Sequence, residues 1–320
     1  MVQKNGSYSR PKIVISKCLE FDACRYNGDI IKNIYIRQLK PFINFITVCP
    51  EVEIGLGTPR DPIRIIENKT KKMLLQETTG KELSNRMNNF SKKFISTLNN
   101  IDGFILKSKS PSCGIKTAKI YSNSKQSYVI KKGSGLFSEN IIKKFPFIPK
   151  EEELRLNNKY TREHFYTSIF TLADFRSVKT MNHLYDFQGK NKYLFMTYNQ
   201  TIMKKMGKIA ANENNRTVND VLVDYYKYLL MLFSKKSRYT SNINTQMHVM
   251  GYFKKQLTNK EKGHFLDSLE LYRDKKISIS AVNSILLSWI NRFNNKYLHS
   301  QTYFSPFPKQ LINSEQNRFL

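Results

Sequence analysis

The sequence has no long apolar segment, only four cysteines and few acidic residues. No apolar run approaches the roughly 20 residues that a transmembrane helix needs, and the first residues lack the features of a signal peptide. We therefore expect a cytoplasmic protein with no membrane partner. In a reducing compartment, the cysteines are expected to be metal ligands, reactive thiols or small core residues rather than disulfides.

The shortage of acidic residues leaves the chain strongly basic. There are 25 Asp and Glu residues against 53 Lys and Arg residues, which gives a formal net charge of +28. The excess is spread almost evenly along the chain, so no basic tail stands out. Two interpretations stay open: a surface that binds tRNA or DNA, and a compositional drift toward lysine without a selected ligand.

Two types of pattern divide the chain. Over residues 10–160, short β-rich runs alternate with helical patterns, which predicts an α/β domain with a Rossmann-like, mainly parallel sheet. Over residues 175–308, apolar residues recur at three- and four-residue spacing, which predicts an all-helical domain. Capping-box patterns predict helices that begin at Thr79 and Thr258, and Ser280 is the expected cap of the last long helix.

Three of the cysteines follow predicted strands. Residues 12–15 precede Cys18, residues 45–48 precede Cys49, and residues 103–106 precede Cys113. Because the carboxyl ends of parallel strands meet at one edge of a sheet, where open α/β proteins bind ligands, the three thiols predict an iron-sulfur or metal pocket. The alternative is that they are buried as small apolar residues.

Several motifs occur together in one order. The segments 16–19, 25–28, 48–60 and 106–114, with the sequences SKCL, RYNG, VCPEVEIGLGTPR and LKSKSPSCG, resemble the family of 2-thiouracil desulfurases. The later segments 184–187, 192–196, 206–208 and 250–255 resemble the helical domain that follows in YbgA-like proteins. The two resemblances extend over roughly residues 10–308.

The resemblance implies a four-iron four-sulfur cluster in the first domain. By motif, its ligands are Cys18, Cys49 and Cys113, and three thiolates leave one iron open to the sulfur of a thiolated pyrimidine. Glu51 fits the acid-base group of such a site. The alternative for Glu51 is a salt bridge with Arg60 or Arg64 at the rim of the site.

Two serines in the same motif have two open interpretations. Ser110 and Ser112 either donate hydrogen bonds to the substrate or the cluster, or cap the turn that leads to the cysteine.

The chain departs from the family pattern at three positions. Cys24 stands where an apolar residue is usual, Asn27 where Asp is usual, and Gln188 where His is usual. Cys24 is a possible fourth ligand that closes the open iron, or a thiol that carries sulfur as a persulfide. The other two exchanges each remove a titratable group.

These features support two hypotheses of different classes. The first is an iron-sulfur enzyme that removes or transfers sulfur on a thiolated nucleobase or a related small molecule. The second is a tRNA- or DNA-binding module with a structural or sensing cluster. If the substrate is a thiolated base within tRNA, both hypotheses apply to the same protein.

Overall fold

The computed structural model describes residues 8–68, 71–122 and 128–312. Two compact units divide the chain: residues 8–174, joined by residues 310–312, and Phe175–Lys309. The strands are β1 Lys12–Ser16, β2 Asn44–Val48, β3 Ile63–Asn68, β4 Lys71–Gln76, β5 Gly103–Leu106, β6 Ala118–Tyr121, β7 Val129–Gly133 and β8 Lys150–Glu152. The helices are α1 Ile34–Leu39, α2 Pro50–Glu53, α3 Ser84–Ser96, α4 Leu136–Lys144, α5 Lys159–Phe175, α6 Met181–Tyr198, α7 Gln200–Ala211, α8 Val218–Leu232, α9 Tyr239–Gly251, α10 Asn259–Arg273, α11 Ile279–Arg292 and α12 Lys296–His299.

A four-stranded parallel sheet forms the centre of the first unit. Its strand order is β2-β1-β5-β8, and the register pairs Ser16 with Val48 and Ile15 with Ile105. The two central strands, β1 and β5, are apolar and buried almost throughout, because both faces of a parallel sheet are covered. This arrangement confirms the predicted Rossmann-like parallel sheet, and its register aligns the carboxyl ends of the strands.

A second four-stranded sheet in the same unit was not foreseen. Its order is β4-β3-β6-β7, with antiparallel hairpins at both sides of a parallel β3–β6 pair. Alternating polar and apolar residues, such as those of β6, are typical of a sheet with one solvated face. The first unit is therefore a mixed α/β domain with one purely parallel sheet and one mixed sheet.

The helix predicted to begin at Thr79 begins five residues later. The N–H group of Leu83 still donates a hydrogen bond to the carbonyl of Leu74, so the chain pairs with β4 up to that residue. Thr79 instead bonds to Gln76 within a turn, and Gly80 follows with φ +66°. The capping-box pattern was overridden by strand pairing, and α3 begins at Ser84.

Seven helices, α6 to α12, form the described part of the second unit. Its core includes Tyr225, Phe265 and Trp289, which are buried. The capping box predicted at Thr258 is present and opens α10. Ser280 is not the cap of α11, because that helix begins after Ser278.

No helix within the described ranges is both long and apolar enough to cross a bilayer.

Candidate iron-sulfur site

A cavity of about 430 Å³ lies at the carboxyl edge of the parallel sheet. Small-molecule sites usually occupy about 300–1,000 Å³, so this volume suits a small ligand. All four cysteines of the chain contribute to its wall: Cys18, Cys24, Cys49 and Cys113. The sheet therefore brings together the three thiols that the strand pattern placed at one edge, and it adds the fourth.

Each cysteine reaches the cavity by a different route. Cys49 follows β2 directly and precedes α2, whereas Cys18 lies two residues beyond β1. Cys113 lies seven residues beyond β5, and its thiol contacts the hydroxyls of Ser16 and Ser110. Cys24 returns to the edge at the end of a turn, and its thiol contacts those of Cys18 and Cys49.

The protein environment favours the neutral form of the Cys24, Cys49 and Cys113 thiols when no metal is bound. Burial raises the pKa of Cys49 to about 11 and also raises the pKa of Cys113. A hydrogen bond with Cys18, together with burial, raises the pKa of Cys24. Binding of iron as thiolate complexes would therefore release protons from the site.

A buried carboxylate lies beside the thiols. Glu51, in the first turn of α2, accepts hydrogen bonds from Nε and Nη2 of Arg60 at 2.9 and 2.7 Å on one oxygen. The Ser112 hydroxyl donates to its other oxygen at 2.9 Å. The side chains of Arg60 and Glu51 are only 6% and 12% exposed, so this is a buried ion pair rather than a pair on the rim.

The two serines of the motif have different positions. Ser110 lines the cavity, and its hydroxyl accepts hydrogen bonds from the N–H groups of Ser112 and Cys113. It therefore both caps the turn and faces the ligand space. Ser112 is fully buried behind the wall and contacts Glu51.

Two acidic residues at the end of β8 hold the loop that carries Cys113. Glu152, the last residue of β8, accepts hydrogen bonds from the N–H groups of Ile115 and Lys116 at 2.6 and 3.1 Å. The next residue, Glu153, accepts from Lys107 at 2.5 Å and from the N–H group of Ser108 at 2.6 Å. The sequence motifs did not indicate these contacts. Two carboxylates at the end of a strand are the signal in the sequence, but only the fold shows which loop they hold.

Seven cationic side chains line the cavity, against the two carboxylates of Glu51 and Glu77: Lys17, Arg25, Arg60, Arg64, Lys107, Lys109 and Lys119. Most of them pair with acidic groups, as Lys17 does with Asp22 at 2.7 Å. Within residues 8–68, 71–122 and 128–312, no ion pair involves the ammonium groups of Lys109 and Lys119. The cavity therefore presents a net positive charge to a ligand.

The donor set fits an iron-sulfur cluster better than a single ion. Across the described part of the chain, no three His, Cys, Asp or Glu side chains form a site for one metal ion. In a four-iron cluster each thiolate binds a different iron, so its thiols are spaced more widely than the ligands of one ion. Four thiols around one cavity provide the type and number of ligands that such a cluster uses.

These features define an α/β protein with a cysteine-lined cavity at the edge of a parallel sheet. The family model described as 2-thiouracil desulfurase matches residues 13–153, and a model described as a protein of unknown function (DUF1722) matches residues 192–308. The chain therefore belongs to the 2-thiouracil desulfurase family through its first unit, as the motifs indicated, and residues 192–308 of its second unit are similar to the second family.

Three known proteins are similar to parts of this chain. The uncharacterized protein YbgA of Escherichia coli (strain K12) is 23% identical over 146 residues, which cover 44% of this chain and 86% of the relative. The uncharacterized protein YbbK of Bacillus subtilis (strain 168) is 31% identical over 109 residues, which cover 32% and 72% of the two chains. The solved structure of the [4Fe-4S]-dependent thiouracil desulfidase TudS is 24% identical, with a TM-score of 0.37, over 46% of this chain and 94% of TudS.

Proposed function

We propose that this chain is an iron-sulfur enzyme that removes sulfur from a thiolated nucleobase. The observation that carries the proposal is one cavity whose wall combines the four thiols with the buried Glu51–Arg60 pair. The family description supports the same reaction type. The overall exchange is balanced without redox chemistry, because a thiocarbonyl and water give a carbonyl and hydrogen sulfide.

Cys18, Cys49 and Cys113 would hold a four-iron four-sulfur cluster. When bound, such a cluster with three thiolate ligands supplies a thiophilic iron. Hydrogen bonds to the Cys113 thiol and within the turn at Ser110 fix the position of the Cys113 thiol.

Glu51 is the proposed acid-base group. Its carboxylate lines the cavity and is held on both oxygens, by Arg60 on one and by Ser112 on the other. Such a fixed carboxylate can accept a proton from water and return it to the product, which typically contributes about 10²–10⁴-fold to a rate. Arg60 and Ser112 act as positioning residues, because they contact Glu51 rather than the reacting atoms.

The positive charge of the cavity supports a substrate that carries phosphate. Lys109 and Lys119 line the wall without an ion-pair partner in the described ranges. A thiolated nucleotide, or a thiolated base within RNA, would place a phosphate near them, whereas a free base would leave them unused.

Anaerobic reconstitution followed by sulfide release tests the function. We expect the loaded wild type to release sulfide from 2-thiouracil or a thiolated nucleotide, Cys49→Ala to lose iron and activity together, and Glu51→Gln to keep iron while losing activity. A loaded wild type that releases no sulfide from any of a series of thiolated bases and nucleotides would contradict the proposal. If the same protein bound tRNA with a steep salt dependence, the binding-module alternative would replace it.

A further inference from the structure

The fourth cysteine is the feature that the proposed function leaves without a role. Cys24 is 5% exposed and lines the same cavity as the three proposed ligands. The chain has only four cysteines, so every thiol that it contains lies at this one site. A cysteine used only as a small core residue would be expected among hydrocarbon side chains, whereas this thiol contacts two other thiols.

The backbone holds Cys24 at this place. Its carbonyl accepts a hydrogen bond from Nη1 of Arg60 at 3.0 Å and one from the Cys49 thiol at 3.7 Å. The segment that carries it is closed by a bridge between Leu19 and Ile31. Arg60 also donates to Glu51, so one guanidinium group holds both the backbone of Cys24 and the acid-base group.

The usual number of thiolate ligands of a four-iron cluster is four. We propose that Cys24 is the fourth thiolate ligand of the cluster in the substrate-free protein, and that the sulfur of the substrate competes with it for the same iron. This inference rests on the proposed function for the presence of the cluster. When Cys24 binds, its thiol gives one proton to solvent and forms one Fe–S bond. The bond from the same iron to the substrate sulfur or to a water molecule breaks, and no electrons are transferred.

Iron spectroscopy on the full chain tests the assignment without substrate. Wild type, Cys24→Ala and the matched control Ala23→Ser, whose altered side chain is exposed, are reconstituted anaerobically with ⁵⁷Fe. Mössbauer spectra then report whether one iron differs from the other three, and ferricyanide treatment followed by electron paramagnetic resonance reports whether that iron is lost.

We expect wild type and Ala23→Ser to show no distinct iron and to keep all four irons through the treatment. Cys24→Ala is expected to show one distinct iron and to lose it, leaving a three-iron signal. If Cys24→Ala takes up no iron, Cys24→Ser serves in its place, because it keeps the shape of the side chain and offers only a weakly ligating oxygen.

A distinct, labile iron in the wild type equal to that of the variant would overturn the assignment. The spectra do not depend on turnover, so equal spectra overturn the role of Cys24 even in protein that releases sulfide. Conversely, failure to release sulfide overturns the proposed function even where the spectra differ.

Discussion

The buried Glu51–Arg60 pair gives the sharpest stability prediction for the site. Arg60→Met removes two hydrogen bonds to Glu51, as well as those to the carbonyls of Cys24 and Gly57 and to the Thr58 hydroxyl. The Ser112 hydroxyl is then the one remaining contact of the carboxylate in this network. Removing one partner of a buried ion pair costs about 3–5 kcal/mol, because the other charge stays buried and uncompensated. We expect the free energy of unfolding of the first unit to fall by about that amount.

The assay must report on the first unit. The single tryptophan, Trp289, lies in the second unit, so its fluorescence does not measure this transition. Hydrogen exchange followed by mass spectrometry on peptides from β1, β2 and β5 does. A loss of about 3–5 kcal/mol corresponds to exchange that is roughly 10²- to nearly 10⁴-fold faster, at one power of ten per 1.4 kcal/mol.

A double-mutant cycle separates the interaction energy of the pair from the effects of each residue alone. Glu51→Gln combined with Arg60→Met leaves no uncompensated carboxylate, so the double variant should lose less stability than the sum of the single losses, with a coupling of about 0.5–3 kcal/mol. Additive losses, or a loss below about 1 kcal/mol for Arg60→Met, would refute the claim that this pair is buried and coupled.

The remaining predictions concern the pH dependence of stability and the space around the cysteine loop. Although burial opposes the charge of Glu20, hydrogen bonds from Arg37 and a backbone N–H group lower its pKa. The charged carboxylate therefore stabilises the fold above the unfolded pKa of 4.5, and this stabilisation is lost as the pH falls through the folded pKa. Glu20→Gln should lower the free energy of unfolding by about 1–3 kcal/mol at pH 7. It should have no effect at a pH where Glu20 is protonated in both the folded and the unfolded state. Urea denaturation at several pH values measures this difference. A Cβ on Gly135 would lie 2.5 Å from the Ser112 backbone, so Gly135→Ala should displace the loop and reduce iron uptake. Gly263→Ala, in a helix where nothing lies within 4 Å, is the matched control and should stabilise the second unit by about 0.5–1 kcal/mol without changing iron uptake; equal iron content in both alanine variants would contradict the argument.

Sequence patterns correctly predicted the secondary-structure elements that are determined by interactions between residues close in the sequence. The apolar run of β1 and the capping box at Thr258 were correct, because burial on both faces and an N-terminal cap leave direct marks in the sequence. The capping-box pattern at Thr79 was wrong, because pairing of Leu83 with Leu74, a tertiary contact, decided where the helix begins. The second sheet was missed for the same reason: its strand order depends on which hairpins meet.

The sequence by itself determined that three cysteines follow strands. This could be predicted because the residue pattern that forms each strand is local to its segment of the chain. Only the tertiary structure decided that Cys24 returns to the same cavity, that Arg60 is buried against Glu51, and that Ser112 stands behind the wall rather than in it. The physical reason is that these relations join segments separated along the chain, and their energy comes from burial and hydrogen bonds that exist once the sheet has assembled.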